Sequence, residues 1–137
     1  MTIGWLGMER RFIEGTWQKK IRAFSPAVIT KGGTTIWLAG HGAIHDDYGE
    51  TLAGDFDAQT HQAFKLLTAT LSETGGKLTD LVTMTVYILI ARYGDNFIKI
   101  RKEYFKTFPA NALLTVSGFA HPDMMVEIQG IAVINDS

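Results

Sequence analysis

The sequence has no cysteine, only three prolines and no long apolar run. Without cysteine there is no disulfide framework, no thiolate metal site and no thiol nucleophile. So little proline leaves no proline-rich linker, and with no internal repeat or break in composition residues 1–137 read as one domain. The longest apolar run, Val86 to Ala91, is far too short to cross a bilayer. No basic segment followed by an apolar stretch opens the chain, so no secretion signal and a cytoplasmic location are expected. An excess of one charge is missing too: 13 basic and 14 acidic residues give a net charge of −1, which argues against a dedicated nucleic-acid binder.

What is there is the composition of a globular protein, 46% hydrophobic and 20% charged. A chain of 137 residues buries about two-thirds of the surface its unfolded form exposes, enough for a core without metal or disulfide. The charges are unevenly spread. Arg10, Arg11, Lys19, Lys20 and Arg22 crowd the start, whereas the stretch between Gly32 and Phe64 has no Lys or Arg and carries Asp46, Asp47, Glu50, Asp55 and Asp57. Aromatic and basic residues do not interleave as stacking on RNA would require.

Residues Arg10 to Ile21 read as one or two short strands. Lys31-Gly32-Gly33 between the apolar runs Ala27–Thr30 and Thr34–Ala39 predicts a β-hairpin, and His45 to Gly54 is an acidic loop. From Asp55 the period becomes helical, with Phe56, Ala63, Leu67, Thr70, Leu71 and Thr74 on one side. Asp55 is the expected N-cap and Gly75-Gly76 the stop. Asp80 to Ile90 alternates as a strand, with Val82, Met84, Val86, Ile88 and Ile90 on one face and Thr83, Thr85 and Tyr87 on the other. The second face has no charge, which suits burial against another subunit better than exposure to water. A second helix is expected from Asp95, as cap, to Thr107, stopped by Pro109. Asn111–Phe119 and Met125–Ile134 read as two more strands around the turn His121-Pro122-Asp123. This order predicts an α+β fold, one mixed sheet with both helices on one face.

Two charged residues stand in apolar surroundings. Arg101 falls near the middle of the apolar side of the second helix, four residues from both Phe97 and Phe105. A guanidinium there needs a carboxylate, carbonyls or a ligand anion, because an unpaired buried charge costs several kcal/mol. Glu127 lies within Met125-Val126-Glu127-Ile128, where it is either exposed on an open face or enclosed between subunits, placed to hold and activate a water. A purely structural Arg101–Glu127 salt bridge is the alternative. The histidines say less. His41, His45 and Asp46 have a spacing that aligns imidazoles for a metal only in a helix, and this segment is glycine-rich strand and loop, so no metal is expected. His61 reads as a helix-surface residue and His121 as a turn residue or proton donor. Ser117-Gly118 is no nucleophile elbow, and no phosphate-cradling glycine loop appears.

Together these residues carry a family resemblance. From Gly54 to Ile134 the chain resembles the YjgF/YER057c/UK114 family, also called the Rid (reactive-intermediate-deaminase) family. The matching residues are Ala58-Gln59-Thr60, Gly75-Gly76-Lys77-Leu78-Thr79-Asp80-Leu81-Val82, Thr85-Val86-Tyr87-Ile88, Phe108-Pro109-Ala110 and Val126-Glu127-Ile128-Gln129-Gly130-Ile131-Ala132-Val133. Ser25-Pro26 and Gly40 match less specifically. The resemblance implies a chorismate-mutase-like α+β fold in a homotrimer with clefts between subunits. It also implies hydrolysis of an enamine or imine such as 2-aminoacrylate, in which an Arg after Phe-Pro-Ala grips the substrate carboxylate, the Glu of the last strand positions water, and ammonia leaves.

The sequence departs from that pattern. Asn111 follows Phe108-Pro109-Ala110 where relatives have Arg, Leu113 stands where Cys is frequent, and Ala27 replaces the aromatic after the Gly-Pro pair. Asn111 supplies a hydrogen bond but no charge. Arg101 stands where relatives commonly have Asn, and one reading is that the cation has moved along the chain. The expectation is a metal-free, cofactor-free deaminase-type hydrolase of altered specificity. Glu127 would hold the water, Leu113 backbone groups and Gly40 would orient a small substrate that can carry a carboxylate, Asn111 would hydrogen-bond it, and Arg101 or His41 would anchor it. The alternative is a non-catalytic trimer that binds a metabolite or a protein. Ribonuclease activity has been attached to some relatives, but the mild acidity and the scarcity of catalytic bases argue against it, and neither nucleic acid nor membrane is an expected partner.

Overall fold

The structure, a computed structural model, describes residues 8–136. The opening residues, on which the expectation of no secretion signal rests, lie outside them. Nine main elements follow in the order β1 (Glu9–Phe12), α1 (Trp17–Ile21), β2 (Val28–Lys31), β3 (Thr34–His41), α2 (Phe56–Glu73), β4 (Leu81–Ile88), α3 (Gly94–Tyr104), β5 (Ala110–Thr115) and β6 (Val126–Ile134). One sheet has the order β3-β6-β4-β5, with β4 and β5 parallel and the other pairs antiparallel. The parallel pair is joined across one face by α3, as the length of a parallel crossover requires. The result is the expected mixed sheet with the two long helices on one face.

Helix α2 forms where the apolar period and its caps agree. Asp55 accepts a hydrogen bond from the Ala58 amide at 3.0 Å, and Gly75, at φ +86°, turns the chain out of the helix. Its buried side, Phe56, Ala63, Phe64, Leu67 and Leu71, lies on the sheet face that presents Met84, Val86, Ile88, Val126 and Ile128. Phe64 is the centre of the core: its ring stacks on Tyr104 at 4.4 Å and Phe97 at 5.8 Å and meets Phe105 edge-on. Burying one such aromatic contributes roughly 1.5–3 kcal/mol. Gln59 is fully buried on the same helix and satisfied at three points. Its amide donates to the carbonyls of Leu52 and Asp123 and its oxygen accepts from the Met125 amide at 2.8 Å. It thereby fixes the entry of β6, two residues before Glu127.

Several boundaries differ from the sequence reading, each for a physical reason. The first segment is one strand followed by a short helix, where one or two strands are expected, because Thr16 caps the turn that begins at Trp17. Gly32 and Gly33 do adopt positive φ, but they join two sheets rather than close a hairpin, because β2 pairs with β1 and β3 pairs with β6. In β4 the pairing shifts by one residue between Leu81 and Thr83, so Leu81 is buried and Val82 is not. Helix α3 starts at Gly94, and Asp95 lies in its first turn, where a carboxylate suits the helix dipole and pairs with Arg22 at 3.1 Å. The helix ends at Tyr104 because Phe105 turns extended, with its ring buried beside Phe64, before Pro109 is reached.

Gly130, the register partner of Leu38 and Met84, leaves no room for a side chain. A Cβ there would lie 2.8 Å from the Thr83 carbonyl oxygen and 2.9 Å from a Leu81 methyl. Gly130→Ala is therefore expected to destabilise the fold by roughly 1–3 kcal/mol, lowering the thermal midpoint by about 5 °C, as calorimetry would measure.

Candidate functional site

Strand alternation divides the candidate residues between the two faces of the sheet. Glu127 is the register partner of Tyr87 and lies with it on the face away from the helices. Gly40 runs directly beneath the acid: a Cβ on Gly40 would sit 2.7 Å from the Glu127 carboxyl carbon and 2.9 Å from one of its oxygens. The absence of a side chain at Gly40 is thus what lets the half-buried carboxylate lie against the β3 backbone. The pairing of β3 and β6 is irregular there, between Leu38 and His41.

Arg101, Asn111 and Leu113 lie on the other face. Arg101 is 1% exposed. Its Nη2 donates to the Arg22 carbonyl at 2.8 Å, its Nη1 reaches the Met84 sulfur at 4.0 Å, and its guanidinium lies 5.2 Å from the centre of the Phe97 ring. No carboxylate among the described residues pairs with it, so the Arg101–Glu127 salt bridge does not form. Burial, aided by the like charge of Arg22, pulls the guanidinium down to about 10. Asn111 is the register partner of Met84, and Leu113 packs against the core beside Val86. His41 also faces the helices. Its Nδ1 must donate to the Ala39 carbonyl at 2.7 Å, which leaves Nε2 to accept from the Thr70 hydroxyl at 2.8 Å.

One protomer therefore brings Glu127 together with Gly40, and Arg101 together with Asn111 through Met84, but the thickness of the sheet lies between the two groups. The open face around Glu127 is otherwise uncharged: Trp37 is 77% and Leu114 49% exposed, with Thr83, Thr85, Tyr87 and Ile131 half-buried among them. A groove of about 510 Å³ lies elsewhere, lined by Asp46, His61, Lys65 and Tyr104 among others. The remaining histidines are engaged locally. His61 bonds the Tyr104 hydroxyl at 2.6 Å, and the His121 Nδ1 accepts from the Asp123 amide. Asp46 accepts the Tyr48 and Glu50 amides, which shapes its loop, and no group of three metal-binding side chains occurs among the described residues. None of the described helices is long and apolar enough to cross a membrane.

Residues 17–134 match the endoribonuclease L-PSP family. The chain belongs to this family, the YjgF/Rid proteins. It is 32% identical over 115 residues to a RutC family protein of Pyrococcus abyssi, covering 83% of this chain and 88% of that protein. It is 27% identical to the 2-iminobutanoate/2-iminopropanoate deaminase of Dermatophagoides farinae, across 74% of this chain and 80% of the relative. Its fold superposes on the Rid family protein YyfB of Yersinia pestis with a TM-score of 0.81 at 25% identity, over 91% and 98% of the two chains.

Two features of the site escape a reading of the sequence. The Arg22 carbonyl that Arg101 holds is a backbone atom with no side-chain signature, although the positive cluster at Arg22 was visible. Trp37 joins the open face through the alternation Thr35, Trp37, Ala39, a signal present but not decisive in so short a run.

Arg101 also yields a stability prediction. A base whose value is pulled down from its ordinary range to about 10 on folding, chiefly by burial, binds its proton less tightly in the native state. The unfolded chain then holds more protons between the two values, so native stability rises with pH there. Denaturant titrations of the parent and Arg101→Met should show their stability difference moving in the parent's favour as pH passes about 10 and staying constant between about pH 6 and 8.

Proposed function

We propose that the protein hydrolyses a small reactive imine or enamine, releasing ammonia, at a cleft completed by a neighbouring copy in a homotrimer. The observation that carries this reading is Glu127, a half-buried carboxylate held over Gly40 on a sheet face that bears no other charge. A carboxylate so placed takes a proton from water as the oxygen attacks the C=N carbon, then returns it to nitrogen. The carbinolamine that forms expels ammonia and leaves a carbonyl group. Family membership and the deaminase named among the relatives support this class of reaction.

The same geometry supports assembly. Glu127 and the Arg101–Asn111 pair stand on opposite faces of one sheet, so a cleft that uses both takes its second wall from another copy. An uncovered apolar face with Trp37, Tyr87 and Leu114 favours such association. Of the two candidate anchors, Arg101 fits better than His41, both of whose ring nitrogens are already engaged. Asn111 hydrogen-bonds the substrate, while Gly40 and the Leu113 backbone fix its orientation. One observation favours a second reading, a metabolite-binding trimer without turnover: Asn111 has no charge where relatives carry Arg.

Glu127→Gln is expected to lower turnover of enzymatically generated 2-aminoacrylate about 10²–10⁴-fold while leaving the sedimentation of the trimer unchanged. Parent-rate release of the 2-oxo acid by that variant overturns the role of Glu127. Sedimentation of the parent as a monomer overturns the shared cleft, and a parent that never accelerates release selects the binding module. Gly40→Ala, whose new methyl displaces the Glu127 carboxylate, is expected to cost at least tenfold in kcat without unfolding the chain, because only a side-chain terminus must move.

A further inference from the structure

Two polar atoms near β5 are buried without any hydrogen-bond partner, Arg101 Nε and Asn111 Oδ1. The first is a donor on a cation, the second an acceptor, and Met84 lies between their residues. The segment Arg22–Ser25 passes over this corner. The Arg22 carbonyl occupies Nη2 of Arg101, Ala23 is completely buried, and the Ser25 amide donates to the Pro109 carbonyl at the foot of β5.

Ser25 anchors one end of this covering, its hydroxyl donating to the Phe108 carbonyl at 2.6 Å, while the part before it has fewer ties. Ala23 has φ +61°, the one positive value outside glycine among the described residues. Helix α1, directly before it, buries none of its residues and leaves Trp17 66% and Ile21 54% exposed. Beyond the Arg22 carbonyl, the segment is tied to α3 by the Arg22–Asp95 ion pair, whose side chains are 51% and 90% exposed and whose contribution is correspondingly small.

We infer that residues 17–24 form a strap closed over a ligand site, in which the chain's own Arg22 carbonyl takes the place of one oxygen of a small carboxylate. A planar carboxylate offers Arg101 two acceptors where the strap offers one. An N–H on the adjacent carbon satisfies the free Asn111 oxygen. The ligand class is therefore a small carboxylate with a neutral nitrogen beside it, and its binding releases the strap and relieves Ala23. With the Arg22 charge paired to Asp95, the guanidinium of Arg101 and one amide in a corner lined by Met84 and Phe97 fit a monoanion better than a phosphate. This inference rests on the imine-hydrolase reading for the identity of the ligand and extends it by making access to the anchor conditional on strap opening.

Oxamate, a stable carboxylate with a neutral amide next to it, is the probe, and pyruvate, with a methyl in place of the amide, is the control. At saturating oxamate, hydrogen exchange of the full-length protein is expected to accelerate in peptides spanning residues 17–24, and pyruvate is expected to bind about tenfold more weakly. Asn111→Leu should abolish the difference between the two probes. Ala23→Gly, which relaxes the closed strap, should weaken oxamate about threefold. Arg101→Met should abolish binding, and Arg101→Lys, which keeps the charge but loses the fork, should weaken it about tenfold. Unchanged or slower exchange over 17–24, no oxamate binding, or parent affinity in both Arg101 variants overturns the strap. Glu127→Gln separates the two readings, because it should retain oxamate binding and strap release while losing turnover. Parent turnover in that variant sinks the hydrolytic role and leaves the strap standing.

Discussion

Both long helices lie on the same side of a four-stranded sheet, and this one-sided burial governs everything else in the structure. Phe64 and Phe97 from the helices, with Met84, Val86 and Ile128 from the strands, are wholly buried on the covered side. The backbone of β4 and β6 is satisfied by the sheet ladder, but neither long helix covers the side chains on the other face. An edge-to-edge array of strands leaves hydrogen bonding complete and hydrophobic burial half finished. Trp37 and Leu114, large and exposed on that face, are the visible remainder of the unfinished burial.

The same constraint separates the charged groups. Successive residues of a strand point to opposite faces, so Glu127 and the register row containing Asn111 are directed apart as soon as the register is set. A single copy cannot unite them. Glu127 is left as the one charged strand residue on a face shared with Thr83, Thr85, Tyr87 and Gln129.

Arg101 on α3 and Asn111 on β5 stand in different settings that their residue types alone do not reveal. A cation on the first strand residue after Phe108-Pro109-Ala110 would start from the edge strand, whereas Arg101 starts from α3 and is enclosed by the core on one side and by the Arg22 carbonyl on the other. Its charge is retained in the interior without a carboxylate, stabilised by a carbonyl, a sulfur and an aromatic ring. Holding a guanidinium in the interior without an opposite charge costs stability, which the carbonyl, the sulfur and the ring only partly offset.

By itself the sequence determined the element order from α2 onward, the caps of α2, the buried face of β4 from Met84 to Ile88 and the anomaly of Arg101, because each depends on residues near one another in the chain. Periodicity, cap chemistry and the positive-φ turn at Gly32-Gly33 are local, and local rules read them correctly even where the partner of the turn was wrong. Only the tertiary structure decided that β2 pairs with β1, that a shifted register makes Leu81 rather than Val82 part of the core, and that Glu127 and Arg101 stand on opposite faces. It also decided that Glu127 lies on Gly40 and Arg101 against the Arg22 carbonyl. Those facts join residues that are tens of positions apart, often through backbone atoms, and no spacing in a linear chain encodes which carbonyl a buried guanidinium will meet.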